Sequence, residues 1–251
     1  YAQEARGADI SSLRTGIFAA GMESAIEMTR WARKVLAPLK PITAYGMTEV
    51  AACASLSRLD STEEQATETS GIPCPGFEFR VVDPESGSDV SDREPGELWV
   101  KSYNLMMGYY RKPEETAAAF SENGWFKTGD MGYMREDGYF RFLGRLKDML
   151  KVGGENVDPM EVERHLLTHP GVHEVAVVGY PDERLTEVAV AFVERAGEKA
   201  VTAQDLIEFC RGRIASFKIP QHVFFIDTIP MTPSGKMRKV ELRAKAIAAL
   251  G

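Results

Sequence analysis

Gly144-Arg145-Leu146-Lys147-Asp148-Met149-Leu150-Lys151-Val152-Gly153-Gly154-Glu155-Asn156-Val157 separates two textures of sequence. It is charged and glycine-bearing. Read alone it is either a solvated linker running into a hairpin or a segment that meets a ligand. Upstream, from about Ser70 to Leu143, the chain reads as a β-rich unit. Phe77, Phe79 and Val81 alternate with polar residues, as do Leu98 and Val100, and Asp137-Gly138 breaks the runs of Tyr133 to Leu143 with a hairpin signal. Further upstream, Met22, Ala25, Ile26, Ala32 and Leu36 share one face of a helix expected over Met22 to Ala37, which Pro38 and Pro41 end. Asp60 to Thr69 reads as a polar loop.

Downstream the pattern mixes helix and strand. Pro159 to Leu167 is a helix with Asp158 as N-cap. Val175 to Val178 and Val188 to Val193 are strands. Thr202 and Asp205 form a capping signature ahead of Leu206, Ile207, Cys210 and Ile214. Val223 to Ile226 is a last strand and Val240 to Leu250 a last helix. This predicts a small α+β domain, with the domain boundary near Arg145 to Asp148.

The bulk properties bound the function. The 251 residues are 44% apolar, enough for a sizeable core. A formal net charge of -7 argues against a general nucleic-acid binder. No apolar run approaches the ~20 residues of a membrane span, and no secretory signal opens the chain. Cys53, Cys74 and Cys210 form no metal pattern and read as reduced thiols of a cytoplasmic protein. Tyr1 is not an initiator methionine, which points to a piece of something longer.

Four segments carry candidate chemistry. In Thr43-Ala44-Tyr45-Gly46-Met47-Thr48-Glu49, Tyr45 can stack on a base, Gly46 lets a ligand approach the backbone, Thr48 can donate to a phosphate, and Glu49 can hold Mg²⁺. In Gly124-Trp125-Phe126-Lys127-Thr128-Gly129-Asp130, Asp130 can accept two hydrogen bonds from a ribose diol. The stretch at 144–157 is the third. In Pro233-Ser234-Gly235-Lys236-Met237-Arg238-Lys239, a lysine on a glycine loop suits a phosphate or carboxylate. Each also reads as ordinary structure: a polar loop, a turn, a linker, a basic surface loop.

Their order goes further. YGMTE, GELWVKSYNLMMGYYRKPEETAAAF, GWFKTGD, GRLKDMLKVGGENV and PSGKMRK together resemble the adenylate-forming (AMP-binding) superfamily, which includes acyl-CoA synthetases, firefly luciferase and the adenylation domains of peptide synthetases. The resemblance runs along essentially the whole chain. It implies a multidomain α+β fold. Residues 1–144 would be the end of the large α/β domain, with a β-rich, distorted-barrel subdomain at about 70–143. Residues 145–251 would be the small mobile domain.

It also implies roles. Tyr45 would stack on adenine, with Gly46 beside it, and Thr48 would contact the α-phosphate. Glu49 would ligate Mg²⁺, and Asp130 would hold the ribose with Arg145 assisting. Lys147 would be the hinge, and Lys236 would bridge carboxylate and phosphate. Gly153 and Gly154 would form the hairpin at the CoA tunnel. The expected substrates are ATP, a carboxylic acid of fatty type and coenzyme A. The family's phosphate-binding loop is absent, so the resemblance implies that these residues alone are inactive. An adenylating enzyme that loads a carrier protein, or a non-catalytic nucleotide-binding module, are the other readings.

Overall fold

The computed structural model describes residues 9–18, 23–197, 201–232 and 237–251. They fall into two compact units, Tyr1–Leu146 and Lys147–Gly251.

In the first unit, strand β1 (Thr15–Phe18) runs parallel to β2 (Lys40–Tyr45), and helix α1 (Glu23–Val35) makes the crossover that parallel strands require. The helix stops at Val35, short of Pro38, as the steric limits around proline demand. Met22, its expected first residue, lies outside the described residues. Strands β3 (Ser55–Leu56) and β4 (Ile72–Pro73) extend the sheet antiparallel. Between them, where a polar loop is expected, stands helix α2 (Glu63–Glu68). Thr62 and Gln65 close a reciprocal capping box at its start.

Strands β5 (Phe77–Val82), β6 (Gly96–Ser102), β7 (Phe126–Met134) and β8 (Phe140–Arg145) form an antiparallel meander. The barrel implied by the resemblance is here an open sheet, because among the described residues β5 and β8 do not pair. Helix α3 (Pro113–Ala119), which the sequence reading did not anticipate, lies between β6 and β7, with proline in its first turn. Val81, Leu98, Val100, Phe126 and Phe140 cluster with Tyr45 and Val50 from the other sheet system. This shared core seats the end of β2 against the meander.

In the second unit, β9 (Leu150–Val152) and β10 (Glu155–Val157) form a hairpin, followed by helix α4 (Pro159–Leu167), β11 (Val172–Asp182), β12 (Thr186–Arg195), helix α5 (Ala203–Cys210), β13 (His222–Phe225) and helix α6 (Lys239–Leu250). The sheet order is β10-β9-β12-β11, with β13 parallel beside β12. Val175, Val177, Ala189 and Ala191 pack on one face with Val162, Leu166 and Leu206. Ala176, Val178, Val190 and Phe192 pack on the other with Leu242 and Ala246. Helices on both faces explain why β11 and β12 read as continuous apolar runs. Asp158 caps α4 by accepting from Met160 N at 2.9 Å, and Thr202 and Asp205 form the capping box of α5. Helix α5 ends at Cys210, short of Ile214. A turn containing Gly212 at φ +69° follows, and Ile214 reaches the core from beyond it.

Candidate functional site

Tyr45 ends β2 and Asp130 lies in β7. Folding joins them across 85 positions: the Tyr45 hydroxyl donates to Asp130 Oδ2 at 2.6 Å. Asp130 is 1% exposed. Burial pushes its carboxyl pKa up to about 6; the Tyr45 hydrogen bond and Arg145 pull it down, and Glu49 and Glu97 add to the rise. Burial and the Asp130 charge likewise hold the Tyr45 phenol protonated. Arg145 Nε lies 2.8 Å from Asp130 Oδ1 but out of line for a hydrogen bond. Oδ1 is therefore a buried acceptor that is ion-paired with Arg145 but has no aligned hydrogen-bond donor. Such an atom is costly unless something else supplies its partner. The Arg145 side chain is 45% exposed.

The Tyr45 ring is itself buried. It meets Phe79 and Phe140 edge-on and lies tilted against Phe142, with centroids 5.4 to 6.4 Å away. Thr48 and Glu49 sit in a single 3₁₀ turn, Thr48–Val50, with Thr48 exposed and Glu49 half-buried. Glu49 Oε1 accepts from the Tyr109 hydroxyl at 3.1 Å. The turn closes through Ala51 and Ala52, both at positive φ (55° and 82°), a conformation that disfavours any side chain. Gly46 has a reason beyond ligand approach: a Cβ there would lie 1.8 Å from the Ala52 carbonyl oxygen. The loop's own backbone requires glycine at this point.

The sequence reading missed Glu97. Buried in β6, it accepts from Gly129 N at 3.0 Å and from Trp99 Nε1 at 2.8 Å. Thr128 donates to the Leu98 carbonyl at 2.7 Å and accepts from Asp130 N at 3.1 Å. These bonds set the bulge of β7 at Gly129, at φ +66°, and aim the Asp130 side chain. A carboxylate at a strand position normally exposed to solvent was the one available signal.

Tyr45, Glu49, Tyr109, Asp130 and Arg145 thus form one constellation in the first unit. The other predicted residues lie elsewhere. Lys147 is exposed in the 3₁₀ turn Leu146–Asp148, and the two units divide between Leu146 and Lys147. Gly153 and Gly154 are the two loop residues of the β9–β10 hairpin, at φ 60° and 90°, the values of a type I′ turn. Lys236, with Pro233 to Gly235, lies outside the described residues; Met231 and Met237, on either side of that segment, form a bridge. Among the described residues no group of three or more His, Cys, Asp or Glu could hold a metal ion, and no helix is long and apolar enough to cross a membrane.

Comparison with known proteins adds independent findings. The AMP-binding enzyme family matches residues 1–110, and the AMP-binding enzyme C-terminal domain matches residues 161–236. A putative acyl-CoA synthetase, YngI of Bacillus subtilis (strain 168), is 41% identical over 240 residues, which is 95% of this chain and 43% of that protein. The mitochondrial medium-chain acyl-CoA ligase ACSF2 of Bos taurus is 38% identical over 236 residues, 94% of this chain and 38% of the relative. Among solved structures, ATP-bound MatB from Rhodopseudomonas palustris superposes with a TM-score of 0.84 at 32% identity, over 94% of this chain and 46% of that one. The o-succinylbenzoate CoA synthetase MenE of Bacillus subtilis, in complex with its acyl-adenylate, gives 0.82 at 31%, over 92% and 46%. The chain thus spans less than half the length of these relatives.

Proposed function

This chain belongs to the AMP-binding, adenylate-forming enzyme family, and from that premise we propose that the whole protein is an AMP-forming acid–thiol ligase. It would activate a carboxylic acid, of fatty type, with ATP and pass the acyl group to coenzyme A. The observation that carries this reading is the donorless Asp130 Oδ1 beside Tyr45 and Arg145. A ribose hydroxyl is a donor of the right kind for that oxygen. To reach it, the sugar must displace the half-exposed Arg145 side chain, which would then close over the nucleotide.

The other residues take their roles around this anchor. Thr48, exposed at the head of its turn, would donate to the α-phosphate. Glu49 would hold a magnesium ion that neutralises phosphate charge, because such ions use one or two carboxylates and take the remaining oxygens from phosphate and water. Lys236 would stand between the attacking carboxylate and the phosphates, two anions that otherwise repel. The buried Tyr45 ring offers only an edge to an adenine unless Phe142, lying tilted against it, gives way. The Gly153–Gly154 turn would line the thiol's approach in the second half-reaction. Acyl-CoA synthetase and acyl-CoA ligase are the names of the Bacillus and bovine relatives, and they favour a CoA ligase over a carrier-protein loader.

The test uses the complete gene product. Carboxylate-dependent exchange of pyrophosphate into ATP is expected, followed by CoA-dependent AMP release with a fatty acid as substrate. Exchange without CoA-dependent release would point to a carrier-protein loader, and no exchange with any acid to a binding module. The 251-residue chain alone is expected to exchange no pyrophosphate, since a preorganised site loses orders of magnitude when a principal donor group is missing.

A further inference from the structure

We propose that Cys53 and Cys74 form a redox-modification site, a thiol pair that an oxidant of the peroxide class converts reversibly to a disulfide, re-setting the turn that carries Thr48 and Glu49. The two cysteines flank the antiparallel β3–β4 pairing. Ser55 pairs with Pro73 and Leu56 with Ile72, and Cys74 N donating to the Ala54 carbonyl at 2.9 Å extends the ladder one step. Cys53 is the next residue, so its Cα stands one position off register from Cys74, within the span a disulfide bridges. The Cys53 and Cys74 thiols are near enough to interact. Burial, together with the neighbouring Cys53 sulfur, pushes the Cys74 thiol up to about 11. Both cysteines are half-buried, which leaves them open to a small oxidant, whereas Cys210 is buried in the core of the other unit.

The pair is mechanically tied to the site. A Cβ at Gly46 would lie 2.8 Å from Cys53 Cα, and Ala54 N donates to the Tyr45 carbonyl at 2.8 Å. Cys53 also follows directly on Ala51 and Ala52, the two residues at positive φ. Its Sγ donates to the Ser55 carbonyl at 3.5 Å, a contact that disulfide formation removes along with the thiol proton. Drawing Cys53 toward Cys74 therefore pulls on the backbone between Tyr45 and Ala54.

The chemistry balances with a peroxide as the two-electron oxidant. Cys53, its proton given up, attacks one peroxide oxygen as the thiolate; the O–O bond breaks and the leaving hydroxide takes up that proton, giving a sulfenic acid and one water. The Cys74 sulfur attacks the sulfenic sulfur as its proton passes to the departing hydroxide, giving the S–S bond and a second water. A dithiol reductant reverses the step. Such reversible pairs are the form in which disulfides occur in reducing compartments.

The test treats the 251-residue chain with hydrogen peroxide and counts free thiols. The titre should fall from three to one, with a single cross-linked tryptic species joining the Cys53 and Cys74 peptides, and dithiothreitol should restore all three. Amide hydrogen exchange over Tyr45–Ala54 should change on oxidation. In Cys53→Ser and in Cys74→Ser neither the cross-link nor the exchange change should appear. A titre that stays at three, separate oxidation of the two thiols without a cross-link, or a cross-link that leaves Tyr45–Ala54 exchange unchanged would each overturn the proposal.

Discussion

Asp130 is the residue on which the site turns, and its ionisation makes a signed prediction. Its folded pKa, about 6, lies above the ordinary carboxylate value of 3.8. The native state therefore binds this proton more tightly than the unfolded chain. Holding the carboxylate charged costs stability above pH 6, on the order of 3 kcal/mol, and that cost is relieved as the pH falls from about 6 to 4. Thermal denaturation should show this pH-dependent gain in the native protein and lose it in Asp130→Asn. On the proposed reading nucleotide binding should run the other way, because only the carboxylate would accept both ribose hydroxyls. The AMP dissociation constant should rise about tenfold per pH unit below 6, as read by calorimetry on the complete protein, and Asp130→Asn should bind weakly at every pH. Much of this was legible: Tyr45, Glu49, Asp130 and Arg145 are marked by their motifs. Their grouping was not. A hydrogen bond across 85 positions leaves no local trace, and Glu97 reads as one more surface carboxylate of a strand until the β7 bulge it holds is seen.

At the scale of elements, local chemistry was legible where large apolar residues or caps marked it. The Asp158 cap, the Thr202–Asp205 box and the Asp137–Gly138 hairpin all stand where the sequence puts them. Helix α2 escaped because it buries only Ala66 and Thr67, too little for an apolar period, although the Thr62–Gln65 box was visible. Helix α3 buries no residue fully, so its pattern had nothing to announce. One element contact governs the second unit. Glu163 of α4, 8% exposed, accepts from Val177 N at 2.6 Å and pairs with Lys239 Nζ of α6 at 2.7 Å. Burial pushes its pKa up, and Lys239 opposes the rise. Glu163→Ala should cost about 3–5 kcal/mol, because it strands an ammonium and a buried N–H together; urea denaturation of the native and variant proteins measures this. A loss under about 0.5 kcal/mol would mean that the pair is not holding α4 and α6 to the sheet.

At the scale of the molecule, the change of texture at residues 144–157 marks the same stretch at which the two compact units part. Each unit has its own apolar core. Limited proteolysis should cut first within Arg145–Lys151, and the released piece of about a hundred residues is large enough to fold alone. Cleavage on both sides of an intact 145–151 stretch would remove Lys147 as a hinge.

The measurement that tests the account most directly takes Lys236→Ala in the complete protein and follows the two half-reactions separately. In the first, an attacking carboxylate and the ATP phosphates are both anionic, and on the proposed reading the Lys236 ammonium would offset their repulsion. Its loss should remove on the order of 3 kcal/mol or more of transition-state stabilisation, a fall of at least about a hundredfold in acyl-adenylate formation. In the second, the acid is already esterified and carries no charge for Lys236 to offset. Thioester formation from supplied acyl-adenylate should therefore stay near the native rate, a split that a general folding defect cannot produce. Equal loss in both half-reactions, or loss in neither, would contradict the account.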